Sequence, residues 1–196
     1  MAIPAAQAAA PVKVIVTGPE KSGKTTFVRT IADMTVQTQE PHPRGKGMIA
    51  IDFGRITLGK DLVIYLYGTR TQEELKALWE AWKEGMLGFI LVVRLGDVDT
   101  LDLATEYFRY FVSQGDWPFL VVINAPKDEV ESPSQLESER SRVAAALGIA
   151  DLDFVTTADA RNRQEVKAAL LDFLSLAISP KRANAIAWKD ASASSA

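Results

Sequence analysis

The sequence predicts an α/β domain with about six strands in a mostly parallel sheet, one of them antiparallel, and helices on both faces. Apolar runs of strand length alternate with stretches of helical periodicity along most of the chain. Several of the runs, such as FLVVI at 119–123, are continuously apolar, as is typical of strands covered on both sides. Alternation of this kind favours parallel neighbours joined by crossover helices.

Six segments have the composition of strands. They are residues 12–17, 48–53, 62–67, 88–95, 119–123 and 154–157. Only GRITLGKD joins the second segment to the third, and this link is too short for a crossover helix. These two strands are therefore predicted to form an antiparallel hairpin.

Five stretches between the predicted strands have helical patterns. They are residues 25–34, 72–84, 101–113, 133–147 and 163–178. Ser132 as the cap, Pro133 in the first turn and Gly148 after the end mark the limits of the fourth helix.

Composition limits the function classes. With 196 residues and 47% hydrophobic content, the chain can bury one sizeable core, so we predict one domain over 11–179 between flexible tails at 1–10 and 180–196. The net charge of −3 without a basic stripe argues against nucleic acid as a partner. The absence of cysteine excludes disulfides and thiolate metal sites. The longest apolar run, 86–93, is too short to span a bilayer, so we expect a cytoplasmic protein with no integral membrane segment.

The most specific motif is GPEKSGKTT, which directly follows the first predicted strand. It matches G-x-x-x-x-G-K-[ST], in which backbone N–H groups cradle phosphates, the lysine pairs with them and the hydroxyl ligates Mg²⁺. The motif predicts a bound nucleoside triphosphate, with Lys24 opposing its charge and Thr25 holding Mg²⁺. The nucleotide-binding residues predicted from it are Gly18, Glu20, Lys21, Ser22, Gly23, Lys24, Thr25 and Thr26. Glu20 and Lys21 place charges where such loops usually carry small residues.

Three motifs in order carry a resemblance to a known family. The phosphate loop is followed by IDFGRITL and YGTRTQEEL on the predicted hairpin, and later by ADARNRQEVKAALLDFL. In this order they resemble the Ras-like superfamily, and within it the bacterial MglA-like small GTPases and their actinobacterial relatives, over about residues 12–178. The resemblance implies a Ras-like P-loop fold, GTP/GDP with Mg²⁺, and a switch with slow hydrolysis in polarity, motility or signalling. It also implies a Roadblock-fold (MglB-like) regulator, through which the protein could visit a membrane peripherally.

The catalytic and metal residues implied by the resemblance are Gln72, Lys24, Thr25 and Asp52. Gln72 falls where the family's switch glutamine orients the attacking water. Gly68 stands where many GTPases have an aspartate for the metal's water shell, which leaves Asp52 on the paired strand as the nearest carboxylate. A surface aspartate is the alternative interpretation of Asp52.

Other positions depart from the family pattern. Thr71 replaces the glycine whose N–H contacts the third phosphate, Met48 replaces the first-switch threonine, and Gly47 takes the place of an arginine finger. Lys46, Arg44 or Arg70 could substitute for that arginine if the stretch 37–47 folds over the phosphates. A polar surface loop broken by prolines is the alternative for this stretch.

Recognition of the base is also partial. A guanine site usually has N-K-x-D after the fifth strand, and this chain has Asn124, Ala125, Pro126, Lys127 and Asp128. The preference for guanine therefore comes from the resemblance, with Asn124, Lys127 and Asp128 as the candidate residues.

A second segment, after the last predicted strand, is similar to the family's T-S-A element, which lends a backbone N–H to the base. Thr157 and Ala158 are its candidate residues here. Asp159, just beyond them, could instead cap the last helix.

Aromatic residues on the second and third predicted helices allow two interpretations. Trp79 and Trp82 follow the switch-like segment at helical spacing, and aromatic side chains surround the third helix. Such stripes are usually core, but exposed tryptophans here could anchor a partner.

Two other function classes remain open on the sequence. One is an ATP-dependent enzyme and the other is a degenerate nucleotide-binding interaction module, which Gly47, Met48 and Thr71 together favour. The nucleotide that copurifies with the protein would separate them from a GTP-binding switch.

Overall fold

Seven strands and five helices make up the computed structural model, which describes residues 11–41, 47–59, 62–68, 71–179 and 185–186. The strands are β1 Val12–Thr17, β2 Met34–Pro41, β3 Met48–Leu58, β4 Leu62–Gly68, β5 Met86–Arg94, β6 Phe119–Asn124 and β7 Val155–Ala158. The helices are α1 Lys24–Ile31, α2 Gln72–Trp82, α3 Leu101–Gln114, α4 Pro133–Leu147 and α5 Arg163–Ala177. A 3₁₀ turn, Leu152–Phe154, precedes β7.

The strands form one sheet in the order β2-β3-β4-β1-β5-β6-β7. β3 pairs antiparallel with both β2 and β4, whereas β4, β1, β5, β6 and β7 are parallel to one another. The predicted hairpin is confirmed, and β3 alone runs against the other strands of the described sheet. The predicted number of six strands is wrong, because β2 adds a seventh.

Helices cover both faces of the sheet, as the two neighbouring residues Gly88 and Phe89 of β5 show. A Cβ atom on Gly88 would lie 3.0 Å from the ring of Phe173 on α5. The ring of Phe89 stacks on Phe111 of α3, with centroids 4.3 Å apart. Successive residues of a strand point to opposite faces, so α5 and α3 lie on opposite sides. Among the described residues, no helix has both the length and the apolar character needed to cross a membrane.

β2 lies where the sequence predicted the end of a helix and the start of a loop. α1 ends at Ile31 because the backbone of Ala32 is extended (φ −65°, ψ 142°). The chain then pairs with β3 from Met34↔Arg55 to Pro41↔Met48. β2 is the edge of the described sheet and its side chains are mostly exposed, which explains why its polar sequence gave no strand signal. Residues 42–46 and 69–70, with Arg44, Lys46 and Arg70, lie outside the described residues.

The aromatic residues of α2 and α3 belong to the core. Trp79 and Trp82 are 5% and 3% exposed. The Trp79 ring lies 5.5 Å from that of Phe111, and the Trp82 ring lies 5.1 Å from that of Tyr67. The core interpretation is confirmed for both tryptophans, and their use as exposed partner anchors was wrong.

Two residues beyond the predicted domain boundary at 179 pack against the domain. The N–H of Ala150 donates to the carbonyl of Ala185 at 3.0 Å, and Ile186 forms an antiparallel bridge with Ile149. Ala185 and Ile186 are both buried. The packed part of the chain therefore includes these two residues.

Candidate functional site

The loop from Gly18 to Gly23 lies at the carboxyl end of β1, in the middle of the sheet, where open α/β sheets bind ligands. Both of its glycines have positive φ angles, 136° and 107°. A Cβ atom would lie 2.1 Å from the carbonyl oxygen of Val92 at Gly18, and 2.3 Å from Nδ2 of Asn124 at Gly23. The loop can approach β5 and β6 this closely only because these positions lack side chains.

Lys24 places a positive charge inside this loop. Its Nζ donates to the carbonyl oxygens of Gly18 at 2.7 Å and Pro19 at 2.6 Å. Desolvation of the buried amine lowers the pKa of Lys24 to about 8, although the negative charges of Glu20 and Asp52 act in the opposite direction. At pH 7 the side chain is still mostly charged.

The N-terminus of α1 opens onto the same loop. Gly23 precedes the helix without a side-chain cap, and the first turn has no acidic residue. The buried Ser22 Oγ has no hydrogen-bond partner in the part of the chain that is described, and it lies 3.3 Å from the Cβ position of Gly18. An uncapped helix N-terminus, a buried lysine and an unsatisfied hydroxyl together form a site suited to a phosphate group.

The remaining loop residues lie at the rim. Glu20, Lys21 and Thr26 are exposed, and Lys21 has a positive φ angle of 61°. The structure thus brings together all the residues of the motif. Ser22 and Lys24 are buried in the loop, and the charged side chains of Glu20 and Lys21 are exposed at its rim.

Asp52 lies next to the predicted metal ligand Thr25. The hydroxyl of Thr25 donates to Oδ2 of Asp52, and the Asp52 side chain is only 11% exposed. In the sheet, Asp52 is paired with Gly68, the residue that stands where an aspartate is common in GTPases. Asp52 is therefore more buried than an ordinary surface aspartate, and its role at a metal stays a prediction.

A hydroxyl and a carboxylate oxygen are suitable ligands for Mg²⁺, so this pair fits the ion. Among the described residues, no group of three His, Asp or Glu side chains could hold a metal. Since Mg²⁺ takes six oxygen ligands, phosphate oxygens and water would have to supply the others. Any Mg²⁺ held here would depend on a phosphate ligand.

The start of α2 is closed by its own capping box. The N–H of Thr71 donates to Oε2 of Glu74, and the N–H of Glu74 donates to the Thr71 hydroxyl, both at 3.2 Å. The Thr71 N–H is thus engaged within the helix. Gln72 is the first residue of α2, and its side chain lies outside the described part of the structure.

Asn124 joins the phosphate loop to the segment after β7. Its Nδ2 donates to the carbonyl oxygen of Ser22, and its Oδ1 accepts from the N–H of Ala160, both at 3.0 Å. The side chain is buried. The structure thus shows Asn124 as a clamp that holds the loop, and its predicted contact with a base stays a prediction.

Asp159 does not cap α5, so that alternative is wrong. Asn162 is the cap, and its side chain accepts from the N–H of Gln164 at 3.0 Å. Asp159 instead accepts from the backbone and guanidinium of Arg161 and from the N–H of Lys127. The hydrogen bond from the Arg161 side chain is the main reason that the pKa of Asp159 falls to about 2.

The other predicted base contacts are engaged in this network or in the sheet. Arg161 also binds the carboxylate of Asp128, and Lys127 Nζ lies 3.0 Å from Oε1 of Glu165. The carbonyl of Ala158 accepts from the N–H of Ala125 at 3.0 Å, and Thr157 lies within β7. Arg161, which forms these bonds, was not among the predicted site residues, although it stands within the ADAR motif.

We expect the Asp159–Arg161 pair to make the protein sensitive to acid. The folded-state pKa of Asp159 is lowered to about 2, so its stabilisation is fully present above the unfolded pKa of about 4 and is lost as the pH falls from 4 to 2. The shift corresponds to about 2 to 3 kcal/mol of the free energy of unfolding.

Urea unfolding at several pH values measures this contribution. Asp159→Asn should be less stable than the wild type at pH 7, and the difference should narrow below pH 4. A difference that stays constant from pH 7 to pH 2 would contradict the assignment.

A scan against known protein families finds no matching family, and a search of curated proteins finds no match.

Proposed function

We propose that this chain is a P-loop protein with a Ras-like fold that binds GTP with Mg²⁺ and acts as a slow, partner-regulated switch. The observation that carries the proposal is the buried Lys24 beside the uncapped N-terminus of α1, with the unpartnered Ser22 Oγ in the same loop. Three parts of the proposal rest on the resemblance of the motifs: the switch function, the Ras-like family and the choice of GTP as the ligand.

Different residues are proposed to bind different parts of a triphosphate and its metal ion. Lys24 opposes the negative charge of the β- and γ-phosphates, and the N–H groups at the start of α1 bind phosphate oxygens. Thr25 and Asp52 hold Mg²⁺, which neutralises phosphate charge when bound. Asn124 keeps the loop in the shape that makes these contacts.

Three features support slow hydrolysis. Gly47 offers no guanidinium where the family has an arginine, and the exposed Met48 has no oxygen ligand for a metal. The N–H of Thr71 is engaged by Glu74, so contact with a third phosphate would require the capping box to open. These features also support the second candidate, a degenerate module that keeps its nucleotide without turnover.

We expect single-turnover hydrolysis of GTP with Mg²⁺ to be slow, because Gly47 stands where the family has an arginine finger, a residue that contributes about 10³ to 10⁵ in rate. Gln72→Ala should lower the rate further, by roughly tenfold or more, if this residue orients water as a general-base partner does. Glu20→Gly should raise it, because the negative charge of Glu20 at the rim of the loop opposes that of the phosphates. Fast hydrolysis that is unaffected by Gln72→Ala would contradict both the slow switch and the role of the glutamine.

A Roadblock-fold regulator is the partner that the resemblance implies. The buried tryptophans cannot anchor it, but Met34 and Val36 are exposed two residues apart on β2, the edge strand of the described sheet. Met48 is exposed at the opposite end of the β2–β3 pair. We therefore place the proposed contact on this edge of the sheet. We further propose, as expected from the sequence, that the protein is cytoplasmic and meets the membrane only through this regulator.

The nucleotide released from the purified, heat-denatured protein tests the proposal. GTP or GDP in stoichiometric amount would support the switch. ATP or ADP alone would favour an ATP-dependent enzyme. A protein that releases no nucleotide and binds none on addition with Mg²⁺ would contradict the proposal.

A further inference from the structure

The side chains predicted to recognise the base, Asn124, Lys127 and Asp128, have hydrogen-bond or ion-pair partners within the protein. They lie at the end of β6 and in the segment after it, and Asn124 connects them to the phosphate loop and to the segment after β7. We place a base attached to phosphates in that loop against these two segments, because they begin at the carboxyl ends of neighbouring parallel strands, where open α/β sheets bind ligands. The hydrogen-bonding capacity left in them therefore decides which base is preferred.

Guanine selectivity requires acceptors for two donors on one edge of the base, N1–H and the 2-amino group. A carboxylate is the usual solution, since its two oxygens accept about four hydrogen bonds. Adenine offers its 6-amino group as a donor and N1 as an acceptor, so a carboxylate in that position discriminates between the two bases. The chain has two carboxylates nearby, Asp159 and Asp128.

Asp159 has no acceptor capacity left. Oδ1 accepts from the backbone N–H of Arg161 at 2.9 Å and from its Nε at 3.0 Å. Oδ2 accepts from the N–H of Lys127 at 3.2 Å and from Nη2 of Arg161 at 2.9 Å. These four bonds match the full capacity of a carboxylate, and the side chain is buried.

The backbone donors beside Asp159 are engaged as well. The N–H of Asp159 donates to Oε2 of Glu165 at 2.8 Å, and the N–H of Ala160 donates to Asn124. With the N–H of Arg161 bound to Asp159, three successive N–H groups have partners within the protein. A guanine O6 would have to break one of these bonds to find a donor there.

Asp128 retains acceptor capacity but lies in water. Its side chain is 69% exposed and is bound by Arg161. A site strongly rejects the wrong ligand only when binding of that ligand leaves a polar group of the protein buried from water and without a hydrogen-bond partner. Water would solvate Asp128 whichever base is bound, so this carboxylate adds little discrimination.

We propose that the site selects its ligand by the triphosphate and discriminates only weakly between guanine and adenine. Its substrate class is then purine nucleoside triphosphates in general, with Arg161 as the residue that withholds the Asp159 carboxylate from the base. This inference rests on the proposed function, because it assumes that the phosphates bind in the Gly18–Gly23 loop.

Calorimetry of the full-length protein with Mg²⁺ and either GTP, ATP or inorganic tripolyphosphate tests the proposal. We expect the affinities for GTP and ATP to lie within about tenfold of each other, a difference of 1.4 kcal/mol, and Lys24→Ala to weaken both. A larger preference for GTP would overturn the inference while leaving the proposed function intact. Failure of all three ligands to bind would overturn the proposed function, and the inference with it.

Two variants test the role of the network. Asp128→Asn keeps the bonds between Arg161 and Asp159, and it should leave the ratio of GTP to ATP affinity unchanged; a selective loss of GTP binding would overturn the proposal. Arg161→Ala removes the two side-chain bonds to Asp159 and should shift the ratio towards GTP, whereas Arg163→Ala, which removes an arginine bound to Thr30 and Asp33, should not. An Arg161→Ala protein that folds but has the wild-type ratio would overturn the role of Arg161.

Discussion

Lys24→Ala is expected to abolish detectable binding of GTP with Mg²⁺, with a loss of affinity of at least about 100-fold. Each hydrogen bond to a charged group contributes about 1.5 to 3 kcal/mol, and Lys24 supplies the only buried side-chain cation in the described phosphate loop. The N–H groups of α1 would remain, but they are dipoles and cannot replace a full charge against a triphosphate. Isothermal calorimetry measures the loss.

The fold should survive this change. Lys24 is desolvated in the native protein, as its lowered pKa indicates, so its removal does not take away a strongly stabilising charge. Lys83→Ala is the matched control, because it removes the same charge from an exposed lysine that pairs with Glu80. If Lys24→Ala binds GTP as tightly as Lys83→Ala does, the loop is not the binding site.

Trp79→Ala is expected to lower the free energy of unfolding by about 3 to 5 kcal/mol, the usual cost of deleting a large core side chain. The Trp79 ring contacts three aromatic rings, those of Tyr110, Phe111 and Trp117, with centroids 5.5 to 6.0 Å away. Its loss would leave a cavity between α2 and α3. Urea unfolding followed by circular dichroism measures the change.

Leu103→Ala provides the comparison for this substitution. Leu103 is an apolar residue of α3 that is 39% exposed, and its replacement should change stability by roughly 0.5 kcal/mol or less. A Trp79→Ala protein as stable as Leu103→Ala would mean that the tryptophan is not part of the core.

The parts of the fold that the sequence predicted correctly have strong local signals. β6 is continuously apolar, and α4 begins with Ser132 and Pro133 and ends before Gly148, which has a φ angle of 70°. β2 has neither signal. It is held by eight pairings with β3 on one side only, and backbone pairing of an exposed edge strand does not require the apolar composition by which strands are predicted.

The same distinction applies to the candidate site. Lys24 and Thr25 could be predicted because their neighbours in the loop also define their function. The clamp between Asn124 and Ser22 and the hydrogen bond from the N–H of Lys127 to Asp159 join segments that are far apart in the chain. The residue types suggested contacts with a base, but only the fold shows that these groups bind one another.

The central position of β1 has a consequence for synthesis of the chain. β1 pairs with β4 and β5, which are made much later, and such long-range pairing slows folding. The phosphate loop that follows β1 also needs Val92 and Asn124 beside its glycines. A nascent chain therefore cannot form the loop until most of the domain has left the ribosome. A ligand that binds only the native state stabilises that state by mass action. Nucleotide binding would therefore follow the folding of the whole domain and stabilise it.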